Sequence, residues 1–298
     1  MGTYFALQAR CEGDATLPLE AAASALTSVD RQMSTYRPDS ALMRLNGAPI
    51  GTPIEVGPEV VEVLRLATEI RSASDGALDV AIGRLVSAWG FGAEAQAEPP
   101  DAATLAALKP RGSGYELLEP DRAERVEDVQ MNLSAIAKGY GVDRAAAELQ
   151  RLCTDFMVDV GGEVRALGLS PSGRPWRVGI EQPSEVRAGL SAVLQISAQA
   201  VATSGDYRNY REVDGQRVSH TIDPRTGEPI RHRLASVTVV SKSCAEADGW
   251  STALNVLGPE AGFTLAESLE LPAYFVVRAE GGFETRYTSH LSSYLVSP

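Results

Sequence analysis

Helical and extended periodicities follow one another along this chain in an irregular order, and that order limits the architectures open to it. Leu19, Ala22, Ala23, Leu26 and Val29 recur at helical spacing between Leu17 and Gln32. Val60, Val63, Leu64, Ala67 and Ile70 repeat that spacing after the breaker Gly57-Pro58. Ile136 to Leu152 predicts a further amphipathic helix, and the polar, Pro-containing stretch 93–101 an exposed loop leading to a short helix near 101–109. Thr3 to Arg10 alternates weakly, as a strand would, and Phe156 to Val160 reads as a buried strand closed by Gly161-Gly162. In the second half, strands are predicted at Trp176–Ile180, Leu190–Ile196, Ser236–Ser241 and Ala273–Arg278, with helices near 245–257 and 259–269. Regular strand–helix–strand alternation is missing, so an α+β architecture is expected rather than a doubly wound parallel sheet. Without an internal repeat, a low-complexity tract or a long linker, residues 1–298 are expected to form a single domain.

Charge narrows the partners. Lys and Arg total 27 against 39 Asp and Glu, a formal net charge of −12. A protein that binds by neutralising phosphates needs a basic face, so nucleic acid and anionic membrane surfaces are not the expected partners. No apolar run reaches the roughly 18–20 residues of a membrane-spanning helix. Cys11, Cys153 and Cys244 are scattered, odd in number and lack a CxxC, which excludes a disulfide scaffold or a thiolate zinc site. His220, His232 and His290 are equally scattered, so any metal is expected to be a hard cation held by oxygen.

Three segments carry groups suited to chemistry. In Ala247-Asp248-Gly249-Trp250-Ser251-Thr252, Asp248 and Thr252 stand four apart and share one helix face. A carboxylate and a hydroxyl aimed at one point suit Mg²⁺; the plainer reading makes Asp248 a helix cap. Asn132 to Asp143 reads as a polar turn feeding a helix, whose free amides and Lys138 suit a phosphate group, or as an ordinary helix capped by Ser134. Its spacing is not that of a P-loop. In Ser219-His-Thr-Ile-Asp-Pro-Arg-Thr-Gly227, His220 precedes a turn signature and either serves as a general base or is a hydrogen-bonded structural histidine. Ser74–Asp79, Met33–Pro38 and Ala202–Tyr207 read as loops. Tyr36 and Trp89 suit stacking on a flat ring or packing in a core.

Taken in chain order, these segments resemble the ApbE-type flavin transferases, which are FAD:protein FMN transferases. The matching stretches are Met1-Gly-Thr3, Met33-Ser-Thr-Tyr36 with Leu45-Asn46, and Gly76-Ala-Leu-Asp79 with Trp89-Gly-Phe-Gly92. Leu133-Ser-Ala-Ile-Ala-Lys-Gly139 with Asp143, Val160-Gly-Gly-Glu163 and Ala202-Thr-Ser-Gly-Asp206 follow. Ser219–Gly227 and Glu246-Ala-Asp-Gly-Trp-Ser-Thr252 complete the series, which spans nearly the whole chain.

The resemblance implies a T-fold-like α+β unit of mixed sheets and helices with an FAD cleft. It implies Mg²⁺-dependent cleavage of the FAD pyrophosphate, passage of FMN to a Thr or Ser hydroxyl of a partner, and release of AMP. By the same resemblance Asp248, Thr252, the carbonyl of Ala137 and neighbouring Ser251 would hold Mg²⁺. Met1, Tyr36, Ala77, Leu78, Asp79, Ser134, Tyr140 and Ile222 fall where relatives contact FAD. Lys138 would lie beside the phosphates, and His220 would deprotonate the acceptor hydroxyl. The implied acceptor is a flavin-carrying subunit of a redox complex of the Rnf, Nqr or NosR kind. An FAD pyrophosphatase and a non-catalytic FAD store are the alternatives; Tyr36 favours transfer over hydrolysis, and His220 with the Asp248/Thr252 pair argues against a mere store. Met1-Gly2-Thr3-Tyr4 has no basic region followed by an apolar one, so no signal peptide is read. A periplasmic, inner-membrane-associated protein is expected if a leader precedes this segment, and a cytoplasmic one otherwise.

Overall fold

The computed structural model describes residues 2–14, 16–93, 95–96, 98–183, 189–206, 210–213 and 216–297. Along the chain run β1 (Phe5–Cys11), α1 (Thr16–Met33), α2 (Ala41–Gly47), β2 (Ile54–Glu55), α3 (Pro58–Ala73), α4 (Gly83–Ala88), α5 (Ala102–Leu108), β3 (Tyr115–Leu118), β4 (Arg122–Arg125) and α6 (Ala137–Leu149). Then come β5 (Cys153–Val160), β6 (Glu163–Leu167), β7 (Trp176–Glu181), β8 (Leu190–Ile196), β9 (Ala200–Gly205), β10 (Tyr210–Val213) and β11 (Gln216–Ser219). β12 (Leu234–Ser241), α7 (Cys244–Ser268), β13 (Ala273–Ala279), β14 (Gly282–Tyr287) and β15 (Leu295–Val296) follow. This is an α+β chain. It divides into two compact units, one of Met1–Thr27, Lys138–Arg208 and His232–Pro298, the other of Ser28–Ala137 and Asn209–Arg231.

The first unit is built on a sheet that, among the described residues, has seven strands in the order β1-β5-β6-β9-β12-β13-β14, every neighbour antiparallel. β12 is buried on both faces from Leu234 to Val240, because successive side chains point to opposite sides and both sides are covered. Val237 and Val239 pack with Ala247, Leu254 and Ala266 of α7. Val240, Val201, Tyr274 and Val276 pack instead against Trp176 and Ile180 of β7 and Leu194 and Ile196 of β8, in the smaller sheet β15-β8-β7. Phe156, Val158 and Val160 of β5 meet Ala22 and Leu26 of α1 and Val142, Ala145 and Leu149 of α6.

Three features of this unit differ from the sequence expectation or refine it. Of the segment Ala202–Tyr207, read as a loop, Ala202 to Gly205 lie in β9, whose Ala202, Thr203 and Ser204 pair with Val239, Thr238 and Val237, and Tyr207 lies outside the described residues. Its small, turn-forming residues hide a strand that is held by its neighbours rather than by local propensity. The two predicted C-terminal helices are one run, α7, broken at Gly258 (φ 80°, ψ −174°) with Pro259 next. Cys11 and Cys153, part of a set too scattered in sequence to suggest a disulfide scaffold, are register partners at the end of the β1–β5 ladder and form a disulfide across a separation of 142 residues. Spacing in sequence carries no signal for such a pair; strand pairing creates it. Cys244 is free and buried.

The second unit holds α2 to α5, the sheet β2-β4-β3 and the β10–β11 hairpin. α3 starts with Pro58 in its first turn and buries the predicted stripe Val60, Val61, Val63, Leu64, Ala67 and Ile70. Asn46 at the end of α2 donates from Nδ2 to the Met131 carbonyl (2.9 Å) and accepts the Met131 N–H at Oδ1 (2.7 Å), a buried two-way clamp on the approach to α6. Among the described residues, no helix is long and apolar enough to cross a membrane.

Candidate active site

In the first unit α6 and α7 approach most closely at Gly139. An ideal Cβ built on Gly139 would lie 2.2 Å from the Cys244 carbonyl oxygen and 2.8 Å from Asp248 Cβ, so only glycine permits this approach. The Gly139 N–H donates to Asp248 Oδ2 at 2.8 Å. One turn further along α6, Asp143 accepts from Ser243 Oγ (2.8 Å) and from the N–H groups of Cys244 and Ala245 (2.9 Å each). Its carboxylate thereby satisfies donors at the start of α7 that have no partner within the helix, and Arg165 pairs with it. The N-cap of α7 is Ser243, whose Oγ accepts the Glu246 N–H. Asp248 therefore stands one turn inside the helix, not at its cap, with Thr252 one turn beyond on the same face.

Asp248 is buried, and so is Glu163, which follows the Gly161-Gly162 turn at the start of β6. Lys138 Nζ stands 2.5 Å from Glu163 Oε2. Burial, and then the charge of Asp248, push the Glu163 carboxyl up against the pull of Lys138. Burial likewise raises Asp248, opposed by Lys138 and by the Gly139 N–H. Lys138 remains a cation against burial because both carboxylates stabilise it. Two buried acids thus share one ammonium, and a cation bound beside them would favour the ionised form of both. Among the described residues no cluster of three or more His, Cys, Asp or Glu is placed to hold a metal. A cation here would rest on mixed oxygen donors, and the Asp248 carboxylate and Thr252 hydroxyl are donors of the kind Mg²⁺ takes. Ser251 Oγ donates to the Asp248 carbonyl (2.9 Å), and Ser204 Oγ of β9 lies 3.0 Å from Ser251 Oγ and 3.1 Å from Thr252 Oγ1. Tyr140, also predicted for FAD, is buried in α6.

The second unit carries the other predicted residues. His220 follows β11, half-buried, with Phe91 edge-on at 6.4 Å between ring centroids. The turn after it is well tied: Asp223 accepts two bonds from the Arg225 guanidinium, and the Trp89 indole N–H donates to the Gly227 carbonyl at 2.8 Å. Ile222 is buried, in a bridge with Pro229. Tyr36, in the turn between α1 and α2, is 70% exposed. Ala77 and Leu78 are buried, and Asp79 is occupied by Arg71 Nε (2.7 Å) and the Ala81 N–H (2.8 Å). The Ala77 N–H donates to the Ser74 carbonyl (3.2 Å) and the Leu78 N–H to Ser74 Oγ (3.2 Å). Ser134 is exposed, and its N–H donates to Asn132 Oδ1 (2.9 Å), so Asn132 supplies the local turn bond. Ala137 is the first residue of α6. Met1 lies outside the described residues. A cavity of about 550 Å³ lined by Arg31, Arg44, Glu55 and neighbours contains none of the predicted residues.

Glu163, Ser204 and Asp143 received no role from the sequence. For Glu163 one signal existed: an acid directly after a buried apolar strand and a Gly-Gly turn.

The ApbE family profile matches residues 1–275. An FAD:protein FMN transferase of Vibrio cholerae is 41% identical over 274 residues, 91% of this chain and 82% of that protein. The enzyme of the same name from Escherichia coli K12 is 36% identical over 280 residues, 91% of this chain and 80% of that protein. Among solved structures, the flavin transferase ApbE of V. cholerae superposes with a TM-score of 0.90 at 37% identity, covering 99% of this chain and 96% of that one. The apo form of the Pseudomonas stutzeri flavinyl transferase ApbE gives 0.89 at 36% identity, covering 100% and 95%.

Proposed function

The chain belongs to the ApbE family, and from that premise we propose that it is an FAD:protein FMN transferase, residues 1–298 acting as one flavin transferase domain. It moves FMN from FAD to a Thr or Ser hydroxyl of a flavin-carrying subunit of a redox complex of the Rnf, Nqr or NosR kind. The observation that carries the reading is the buried pair Asp248 and Glu163 sharing the Lys138 ammonium, with the Thr252 hydroxyl one turn from Asp248.

Asp248, Thr252 and the Ala137 carbonyl would hold Mg²⁺, with Ser251 beside them. Bound there, Mg²⁺ supplies positive charge to a pyrophosphate whose bridging oxygen gains negative charge as its bond breaks. Lys138 binds the same phosphates as a point charge. In the second unit, exposed Tyr36 offers its face to the isoalloxazine ring. Met1, Ser134, Ile222, residues 77–79 and Tyr140 are the further positions that would contact FAD by the family resemblance. His220 takes the proton from the acceptor hydroxyl. The hydroxyl oxygen forms a bond to the FMN-side phosphorus, the bond from that phosphorus to the bridging oxygen breaks, and AMP leaves with that oxygen. The Cys11–Cys153 disulfide fits an oxidising compartment.

The test is release of AMP from FAD by the purified protein, followed by chromatography with and without a Thr-bearing acceptor domain. Transfer requires AMP to appear with the acceptor and Mg²⁺ together and to stop with EDTA. Equal AMP and free FMN irrespective of acceptor would make water the nucleophile. Intact FAD retained by the protein would leave a binder.

A further inference from the structure

We propose that Ser204 is a positioning residue that fixes the direction in which Thr252 presents its hydroxyl to a cation; the inference rests on the reading that Asp248 and Thr252 hold Mg²⁺. Each hydroxyl has one proton to give and two lone pairs. The Asp248 carbonyl can only accept, so the 2.9 Å contact commits the Ser251 proton to it. Ser251 Oγ and Ser204 Oγ lie 3.0 Å apart, and with the Ser251 proton already used, Ser204 is the donor of that bond. Ser204 Oγ and Thr252 Oγ1 lie 3.1 Å apart, and with the Ser204 proton used in turn, Thr252 is the donor. The chain therefore runs one way, Thr252 to Ser204 to Ser251 to the Asp248 carbonyl. The Thr252 proton is drawn toward β9, and both lone pairs of Oγ1 remain for another partner.

The same chain removes the usual alternative. A threonine inside a helix tends to return its hydroxyl to the carbonyl four residues back, which for Thr252 is that of Asp248. Ser251 occupies that carbonyl, and Ser204 offers Thr252 an acceptor elsewhere. The position of Ser204 is itself unusual for a packing residue. On β9, Ala202 packs among the apolar residues facing α7 and Val201 on the opposite side, so alternation puts Ser204 with Ala202, toward α7. A hydroxyl on an otherwise apolar face is costly unless bonded, and its bonds go to Ser251 and Thr252.

The experiment measures Mg²⁺ affinity of the full chain by titration calorimetry, with Mn²⁺ binding followed by electron paramagnetic resonance as a second probe. The informative pair is Ser204→Val against Ser204→Thr, which have the same shape and differ in the hydroxyl. Ser204→Val is expected to bind about tenfold or more weakly than Ser204→Thr, the size seen when partners of metal ligands are lost, with equal metal-free melting temperatures. In a Thr252→Val background the Ser204→Val change is expected to have no further effect, because the two residues act through one bond. Equal affinity of the two Ser204 variants, while Asp248→Ala abolishes binding, would overturn the role of Ser204 and leave the metal site standing. Unchanged affinity in Asp248→Ala and Thr252→Ala would overturn the site and the inference together.

Discussion

Adding one methyl group at Gly139 tests the joint on which the candidate site is built. The new Cβ would lie 2.2 Å from the Cys244 carbonyl oxygen, 2.6 Å from the Cys244 carbonyl carbon and 2.8 Å from Asp248 Cβ. Two of these are backbone atoms held by the Asp143 bonds to the start of α7, so no flexible side chain can yield. The helices must part. Overpacking of this kind costs about 1–3 kcal/mol, and loss of the Gly139 N–H bond to a buried carboxylate about 1.5–3 kcal/mol more. Alanine returns up to about 1 kcal/mol through its better helix propensity. The expected net loss for Gly139→Ala is about 1.5–6 kcal/mol, read as a shift of the urea midpoint of the metal-free protein. Gly47→Ala is the internal control: nothing lies within 4 Å of its ideal Cβ, so little change is expected. A Gly139→Ala protein within about 0.5 kcal/mol of wild type, the range of ordinary surface changes, would refute the reasoning.

The electrostatics predict a pH trend: folded Glu163 holds its proton up to about 8 whereas the unfolded chain releases it near 4.5, so the metal-free protein loses stability as pH rises across that window. Glu163→Gln is expected to flatten much of that slope in melting temperatures, and an unchanged slope would remove Glu163 as its source. Reducing the Cys11–Cys153 bond, which closes a loop spanning 142 residues, is expected to cost about 2–5 kcal/mol in denaturant unfolding; no loss would mean that β1 and β5 hold together unaided. His220→Ala is expected to slow acceptor labelling by about 10²–10⁴ while leaving FAD and Mg²⁺ affinity alone, the signature of a lost base; a wild-type rate would discard that role.

Local pattern carried much of this fold. α1, α3, β5, β8 and β12 were readable because burial of one face or both writes itself into spacing. The break in α7 was readable because Gly258-Pro259 cannot continue a helix. β9 was not, since Thr203, Ser204 and Gly205 have no strand signature of their own and are ordered by β6 and β12, both distant in sequence. The Cys11–Cys153 bond was hidden for the same reason. In the site, Asp248 and Thr252 could be joined from a four-residue interval. Glu163 and Ser204 could not, because what they face is decided by sheet register and by the close approach of α6 and α7.

The most direct test of the proposed activity is the intact mass of a Thr-bearing acceptor domain after incubation with this protein, FAD and Mg²⁺. The account predicts one FMN phosphoester per acceptor, with matching AMP, lost when EDTA is added or when the acceptor Thr is replaced by Ala. An acceptor of unchanged mass, with FAD consumed to free FMN or not consumed at all, would contradict it.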